Sequence, residues 1–137
     1  MNSHHYRPHP VLLAVLAASL LAGITGCSAT MTREELLARL QRDEPILIVD
    51  VRSEGEYRRD HIPEAVRIPF YAIGTGMEGL GFSKGSPVVL YCEHGPRAGL
   101  AGISLFMRGY DAVYSLEGHM KGWRENEFPL EKSVPLP

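Results

Sequence analysis

The stretch Val88-Val89-Leu90-Tyr91-Cys92-Glu93-His94-Gly95-Pro96-Arg97-Ala98 puts a cysteine directly after an apolar run and closes a short Gly/Pro loop with an arginine. A thiolate is a strong nucleophile, and an arginine is a permanent cation whose planar fork fits an oxyanion. Gly95 lets backbone amides approach whatever lies between the two, and Pro96 stiffens the turn. The six residues of Cys-x-x-Gly-x-Arg can wrap with their amides inward, as in backbone nests that bind anions. The chemistry this suits is covalent catalysis through sulfur on an anionic substrate. Glu93 works against it, because a carboxylate beside the nucleophile opposes both a thiolate and an anionic donor, whereas a protonated His94 offsets that charge.

Such a loop needs elements to hold it. The β-formers after Pro87 predict a buried parallel strand, and Leu100, Ile103 and Met107 at helical spacing predict a helix over 98–108. Cys92 then sits at a strand's carboxyl end facing a helix N-terminus. In open α/β sheets that rim binds ligands, and the free N–H groups and partial positive charge of a helix start favour an anionic sulfur.

Upstream, Thr32 and Glu35 form a capping box before the stripe Leu36, Leu37 and Leu40, predicting a helix over 33–42. After Pro45, Ile46-Leu47-Ile48-Val49-Asp50-Val51 reads as a strand ending on a carboxylate. Asp50 and Arg52 thus fall on the same rim as Cys92. Together with His61 they are expected to support the site through hydrogen bonds and ion pairs rather than to react. A short strand is expected over 66–68. The glycine-rich connection 70–85 is not spaced as a phosphate loop and is expected to be a mobile rim or a short helix. Gly109 caps the helix after Cys92, 112–116 makes the last strand, and Gly118-His119-Met120-Lys121-Gly122-Trp123 opens a final helix with Trp123 in the core.

Three stretches in order, Asp50-Val51-Arg52-Ser53-Glu54 with Tyr57 and His61-Ile62-Pro63-Glu64-Ala65-Val66-Arg67-Ile68-Pro69, then the Cys92 loop, then Gly118 to Trp123, resemble the signatures of the rhodanese family of sulfurtransferases. In that family the cysteine carries a persulfide. The resemblance runs from Thr32 to Trp123 and implies an α/β fold, a central parallel sheet of about five strands with helices on both faces, as the alternation of elements also suggests. It implies transfer of a sulfane sulfur from thiosulfate or a persulfide donor to a thiol, sulfide or cyanide. Cys92 would be the nucleophile, Glu93, His94, Gly95, Pro96 and Arg97 the substrate cradle, and no metal or cofactor is expected. Asp60 and Glu64 stand where the family usually has small residues and are expected as turn adjustments; His119, in place of a second glycine, is expected to open its helix, the alternative being an acid/base that narrows or polarises the pocket. Two other readings compete. A noncatalytic rhodanese-like interaction module usually lacks the cysteine. A cysteine phosphatase or arsenate reductase has a loop one residue longer, wide enough for a tetrahedral phosphate, and with Cys27 expected to be lipidated no second thiol is left to resolve an intermediate.

The chain has 137 residues, 45% hydrophobic and 22% charged, with a net charge of −2 and no basic run, which fits one domain and argues against a nucleic-acid partner. Residues 1–26 are expected to be a signal peptide. A polar start with Arg7, His4, His5 and His9 precedes an apolar, Leu/Ala-rich stretch over 11–24, too short for a membrane span. Ile24-Thr25-Gly26-Cys27 resembles a bacterial lipobox, so Cys27 is expected to carry the lipid that anchors the protein in the cell envelope, with Ser28 suiting the periplasmic face of the outer membrane. The organisation expected is a lipidated tether over 27–31, a rhodanese-like domain over 32–128 and a loose tail over 129–137. With Cys27 lipidated, Cys92 has no partner for an intramolecular disulfide.

Overall fold

In a computed structural model, residues 29–133 are described. Strand β1 (Ala29–Met31) leads into helix α1 (Arg33–Gln41), then β2 (Leu47–Asp50), α2 (Glu54–Arg59) and β3 (Val66–Arg67). A single 3-10 turn (Phe70–Ala72) precedes α3 (Ile73–Leu80), followed by β4 (Val88–Tyr91), α4 (Pro96–Met107), β5 (Val113–Leu116) and α5 (His119–Glu125). The strands form one sheet in the order β1-β5-β4-β2-β3, and every pairing is parallel. This is the α/β fold expected, with the strand carrying Cys92 inside the sheet.

The alternation of side chains along the strands divides the core into two layers. Val49, Val88 and Leu90 pack with Ile73 and Met77 of α3 and Ala98, Ala101 and Leu105 of α4. Ile48, Val89 and Tyr91 point the other way, onto Leu36 of α1 and Met120 and Trp123 of α5. β4 is buried along its whole length, as a strand covered on both faces should be.

Three expectations change. Ala29–Met31, expected within the lipidated tether, is the edge strand of the sheet, paired with Tyr114 to Leu116. Residues 129–133, expected as part of a loose tail, are tied down. His61 and Glu131 exchange backbone hydrogen bonds, Trp123 Nε1 donates to the Pro129 carbonyl, and Ser133 N donates to the Arg58 carbonyl. The third change concerns α4, which forms as expected but buries a different face. Leu100, Ile103 and Met107 are 57%, 50% and 80% exposed, and Ala98, Ala101, Gly102 and Leu105 face the sheet. Small residues let the helix lie close to the strands, so packing distance rather than hydrophobicity selects the buried side. The segment 70–85 takes the short-helix alternative as α3. A Cβ on Gly76 would lie 2.4 Å from Ile68 Cγ2, so glycine is what allows this helix to approach so closely.

Candidate active site

Cys92 follows the last residue of β4 and is 1% exposed. Its Sγ accepts a hydrogen bond from Gly95 N–H at 3.0 Å. Of the amides expected to line the loop, this one faces the sulfur, and Pro96 has none to offer. Gly95 is the N-cap of α4 with φ 126°, a region open in practice to glycine, and a Cβ there would come within 3.1 Å of His119 Nε2. The loop therefore owes its shape to a residue that sequence spacing already singled out.

His119 stands behind the loop rather than in front of it. Its Nδ1 accepts from Cys92 N–H at 3.4 Å, and its ring edge abuts Gly95. Burial, with His94 nearby, lowers its pKa from the ordinary 6.5, which keeps the imidazole neutral and Nδ1 free to accept. Its backbone φ of 51° is the left-handed turn that glycine would take at this position. Met120 N–H donates to the Cys92 carbonyl and Lys121 N–H to the Glu93 carbonyl, so the start of α5 holds the loop from below.

The supporting charges form one connected network. Arg52 is fully buried and grips Asp50 through Nε (3.0 Å to each oxygen) and Nη2 (2.7 Å). It also donates to the Asp60 carbonyl at 2.6 Å, the Asp60 carboxylate at 3.5 Å and Glu93 at 3.3 Å. Burial works against its charge, but the hydrogen bonds and charge of Asp50 outweigh that and raise its pKa. Arg124 of α5 closes the network. It binds Asp60 at 2.8 and 3.0 Å and Glu93 at 2.5 and 3.1 Å. Hydrogen bonds from Arg124 are the main reason that the carboxyls of Asp60 and Glu93 both lie below their ordinary pKa values.

Several residues expected around the sulfur are thus committed elsewhere. The Glu93 side chain is balanced by two arginines. Arg97, expected to hold the donor's oxyanion, donates both terminal nitrogens to Glu56, at 2.7 and 2.8 Å. His94 is exposed. His61 is brought to the tail instead of the loop. Its Nδ1–H donates to the Tyr57 carbonyl at 2.8 Å, its ring stacks on Tyr57 with centroids 3.9 Å apart, and Nε2 lies 3.6 Å from Glu131. Cys27 lies outside the described residues. Beside the loop, a cleft of about 220 Å³ is lined by Arg52, Ser53, Arg67, Phe70, Tyr71 and Arg97 among others.

Sequence reasoning missed Glu56, Arg67 and Arg124. For Glu56 a signal was present, because Ser53-Glu54-Gly55-Glu56 is a capping box and forms as one. Arg67 and Arg124 carry no local signal, since only the fold brings them to the rim. Of the two residues flagged as unusual, Asp60 has a reason and Glu64 has none in the structure. Asp60 is the shared acceptor of Arg52 and Arg124, and Glu64 keeps the left-handed φ of 64° that a glycine would adopt.

Comparison with known proteins agrees with this architecture. The rhodanese-like domain family matches residues 32–126. A sulfurtransferase of Allochromatium vinosum is 33% identical over 97 residues, which is 71% of this chain and 89% of that protein. Among solved structures, the rhodanese-like domain of an Anabaena protein superposes with a TM-score of 0.70 at 23% identity, covering 80% of this chain and 86% of that one. A thiosulfate sulfurtransferase from Pseudomonas aeruginosa gives 0.72 at 24% identity, covering 77% of this chain and 20% of that one. With its parallel sheet, its Cys92 loop at the rim and this match across most of its length, the chain belongs to the rhodanese-like family.

Proposed function

We propose that the protein is a sulfurtransferase that moves a sulfane sulfur from thiosulfate or a persulfide donor to a thiophilic acceptor through a persulfide on Cys92. The observation that carries this reading is the sulfur of Cys92, set at the end of β4 against the first turn of α4 and bonded by Gly95 N–H. The name of the Allochromatium relative supports it. In the first half-reaction the Cys92 thiolate attacks the outer sulfur of thiosulfate. A new S–S bond forms, the old one breaks with its electron pair leaving on sulfite, and the enzyme holds an anionic persulfide. In the second, a thiolate or cyanide takes the terminal sulfur and the Cys92 thiolate returns. No external oxidant or reductant is needed. The Gly95 amide meets the negative charge on sulfur, a preorganised electrostatic contribution that needs no reorganisation during turnover.

The test is mass spectrometry of the purified protein after thiosulfate. One added sulfur on wild type, absent from Cys92→Ser and discharged by cyanide, is expected. A wild type that stays unmodified with thiosulfate and with an organic persulfide would reject the reading.

In this reading the protein works in the cell envelope, held by lipid on Cys27. Because β1 already begins at Ala29, the tether would be only Cys27 and Ser28, and the domain would sit directly on the membrane surface. Several acyl chains at one residue give durable anchoring. Cys27→Ser should move the protein out of the membrane fraction; unchanged fractionation and processing would refute lipidation.

A further inference from the structure

The fork of Arg97 is already occupied. Nη1 donates to Glu56 Oε2 and Nη2 to Glu56 Oε1, a bidentate pair that uses the same two parallel donors an oxyanion would need. The carboxylate is not there by chance of a flexible side chain. Glu56 is the third residue of α2, and its Oε2 accepts from Ser53 N–H at 3.0 Å and from Ser53 Oγ–H at 2.6 Å. Helix capping therefore seats the carboxylate first, and Arg97 reaches across from α4 to meet it. The two side chains are 23% and 31% exposed, enough for a competing anion to reach them and too little for water to screen them fully. Arg97 and Ser53 both line the cleft beside the loop.

We infer that Glu56 is a specificity-determining residue. By filling the fork of Arg97, it disfavours small oxyanion donors such as thiosulfate relative to organic persulfides, which bring no sulfonate to this position. A thiosulfate bound through Arg97 must displace the Glu56 carboxylate or lie beside it, and in either case it meets a fixed negative charge. An organic persulfide delivers its sulfur to Cys92 without opening the pair. The inference rests on the sulfurtransferase reading for its substrates, and the second measurement below is independent of turnover.

The first measurement compares KM and kcat of the full chain for thiosulfate and for cysteine persulfide, in wild type, Glu56→Gln and Glu56→Asp. Gln keeps an acceptor for Ser53 N–H and loses the charge; Asp keeps the charge on a shorter arm. Glu56→Gln should lower KM for thiosulfate by about threefold to fivefold, the upper end of the scale of a partly exposed ion pair. KM for cysteine persulfide should move by less than about twofold. Glu56→Asp should stay near wild type. An equal gain in Glu56→Asp would assign the effect to a loosened α2 rather than to charge and would overturn the inference, as would an unchanged thiosulfate KM in Glu56→Gln. The second measurement titrates inorganic sulfate against the Arg97 Nε–Hε NMR signal. The wild-type signal should respond only at severalfold higher sulfate than that of Glu56→Gln; a wild-type signal that responds as readily overturns the inference even if no variant turns over. Absence of persulfide in every variant would instead count against the sulfurtransferase reading.

Discussion

The carboxylate of Glu93, one residue from the nucleophile, and the guanidinium of Arg124 form two hydrogen bonds, at 2.5 and 3.1 Å. Arg52 adds a third contact to the same carboxylate at 3.3 Å. The charge that sequence reasoning set against the thiolate is thereby spent on two arginines, and it serves to fasten the loop to α5 and to the end of β2. Glu93→Gln should accordingly leave the rate of Cys92 alkylation at neutral pH within about twofold of wild type and destabilise the fold by roughly 1–3 kcal/mol, because Arg124 and Arg52 each lose a charged partner. Iodoacetamide kinetics and urea denaturation check the two halves separately. A markedly faster alkylation would show that the carboxylate acts on the sulfur after all.

Arg52 is the buried hub, and its partners Asp50, Asp60 and Glu93 come from three different segments. Removing one member of a buried ion pair leaves the other uncompensated. Arg52→Met should cost about 3–5 kcal/mol, more than any exposed pair such as Arg58–Glu54 would. Chemical denaturation of Arg52→Met against Arg58→Met measures the contrast. Equal losses would mean that the network is not what holds the rim.

Acid should weaken the protein in two stages. His119 has a folded pKa below its ordinary 6.5, so the unfolded chain binds more protons in that interval. The stability due to neutral His119 is full above pH 6.5 and falls as pH drops from there toward the folded pKa. Glu56, Asp60 and Glu93, all lowered by arginine hydrogen bonds, contribute above their ordinary values of 4.5, 3.8 and 4.5 and lose that contribution as pH falls further. Thermal melts across pH should show both limbs, and His119→Gln should remove the upper one while keeping the lower. A wild-type profile flat from pH 7 to 5 would contradict the role given to His119.

Glu64 holds a left-handed backbone at φ 64°, which strains a residue with a Cβ. Glu64→Gly should relieve that strain, partly offset by the extra freedom of glycine in the unfolded chain, for a net gain of up to about 1 kcal/mol. A loss of stability in denaturant titration would show that the Glu64 side chain makes a compensating contribution.

Much of this protein could be read without its fold. Local rules sufficed for the strand before Cys92 and the helix after it, since a run of β-formers, a Gly-Pro pair and a helical periodicity act within a few residues of one another. The carboxyl-end position of Asp50 and the glycine demand at Gly95 followed from the same short-range logic. Thr32 caps α1 through Glu35 N–H, but the Glu35 carboxylate turns to Arg39 and the reciprocal half of that box is not made; the full box forms at Ser53, where the meaning of Glu56 did not show.

Tertiary structure decided which charges meet. Glu56 and Arg97 are 41 residues apart, Arg124 and Asp60 are 64 apart, and no local pattern pairs them; only a sheet that brings its carboxyl ends to one rim does. It also decided which face of α4 is buried: Ala98, Ala101, Gly102 and Leu105 lie against the sheet, and Leu100, Ile103 and Met107 face outward. And it turned two apparently loose ends into structure. β1 and the Glu131 bridge are made by backbone hydrogen bonds to distant strands and turns, which depend on what lies alongside and hardly at all on the residues themselves.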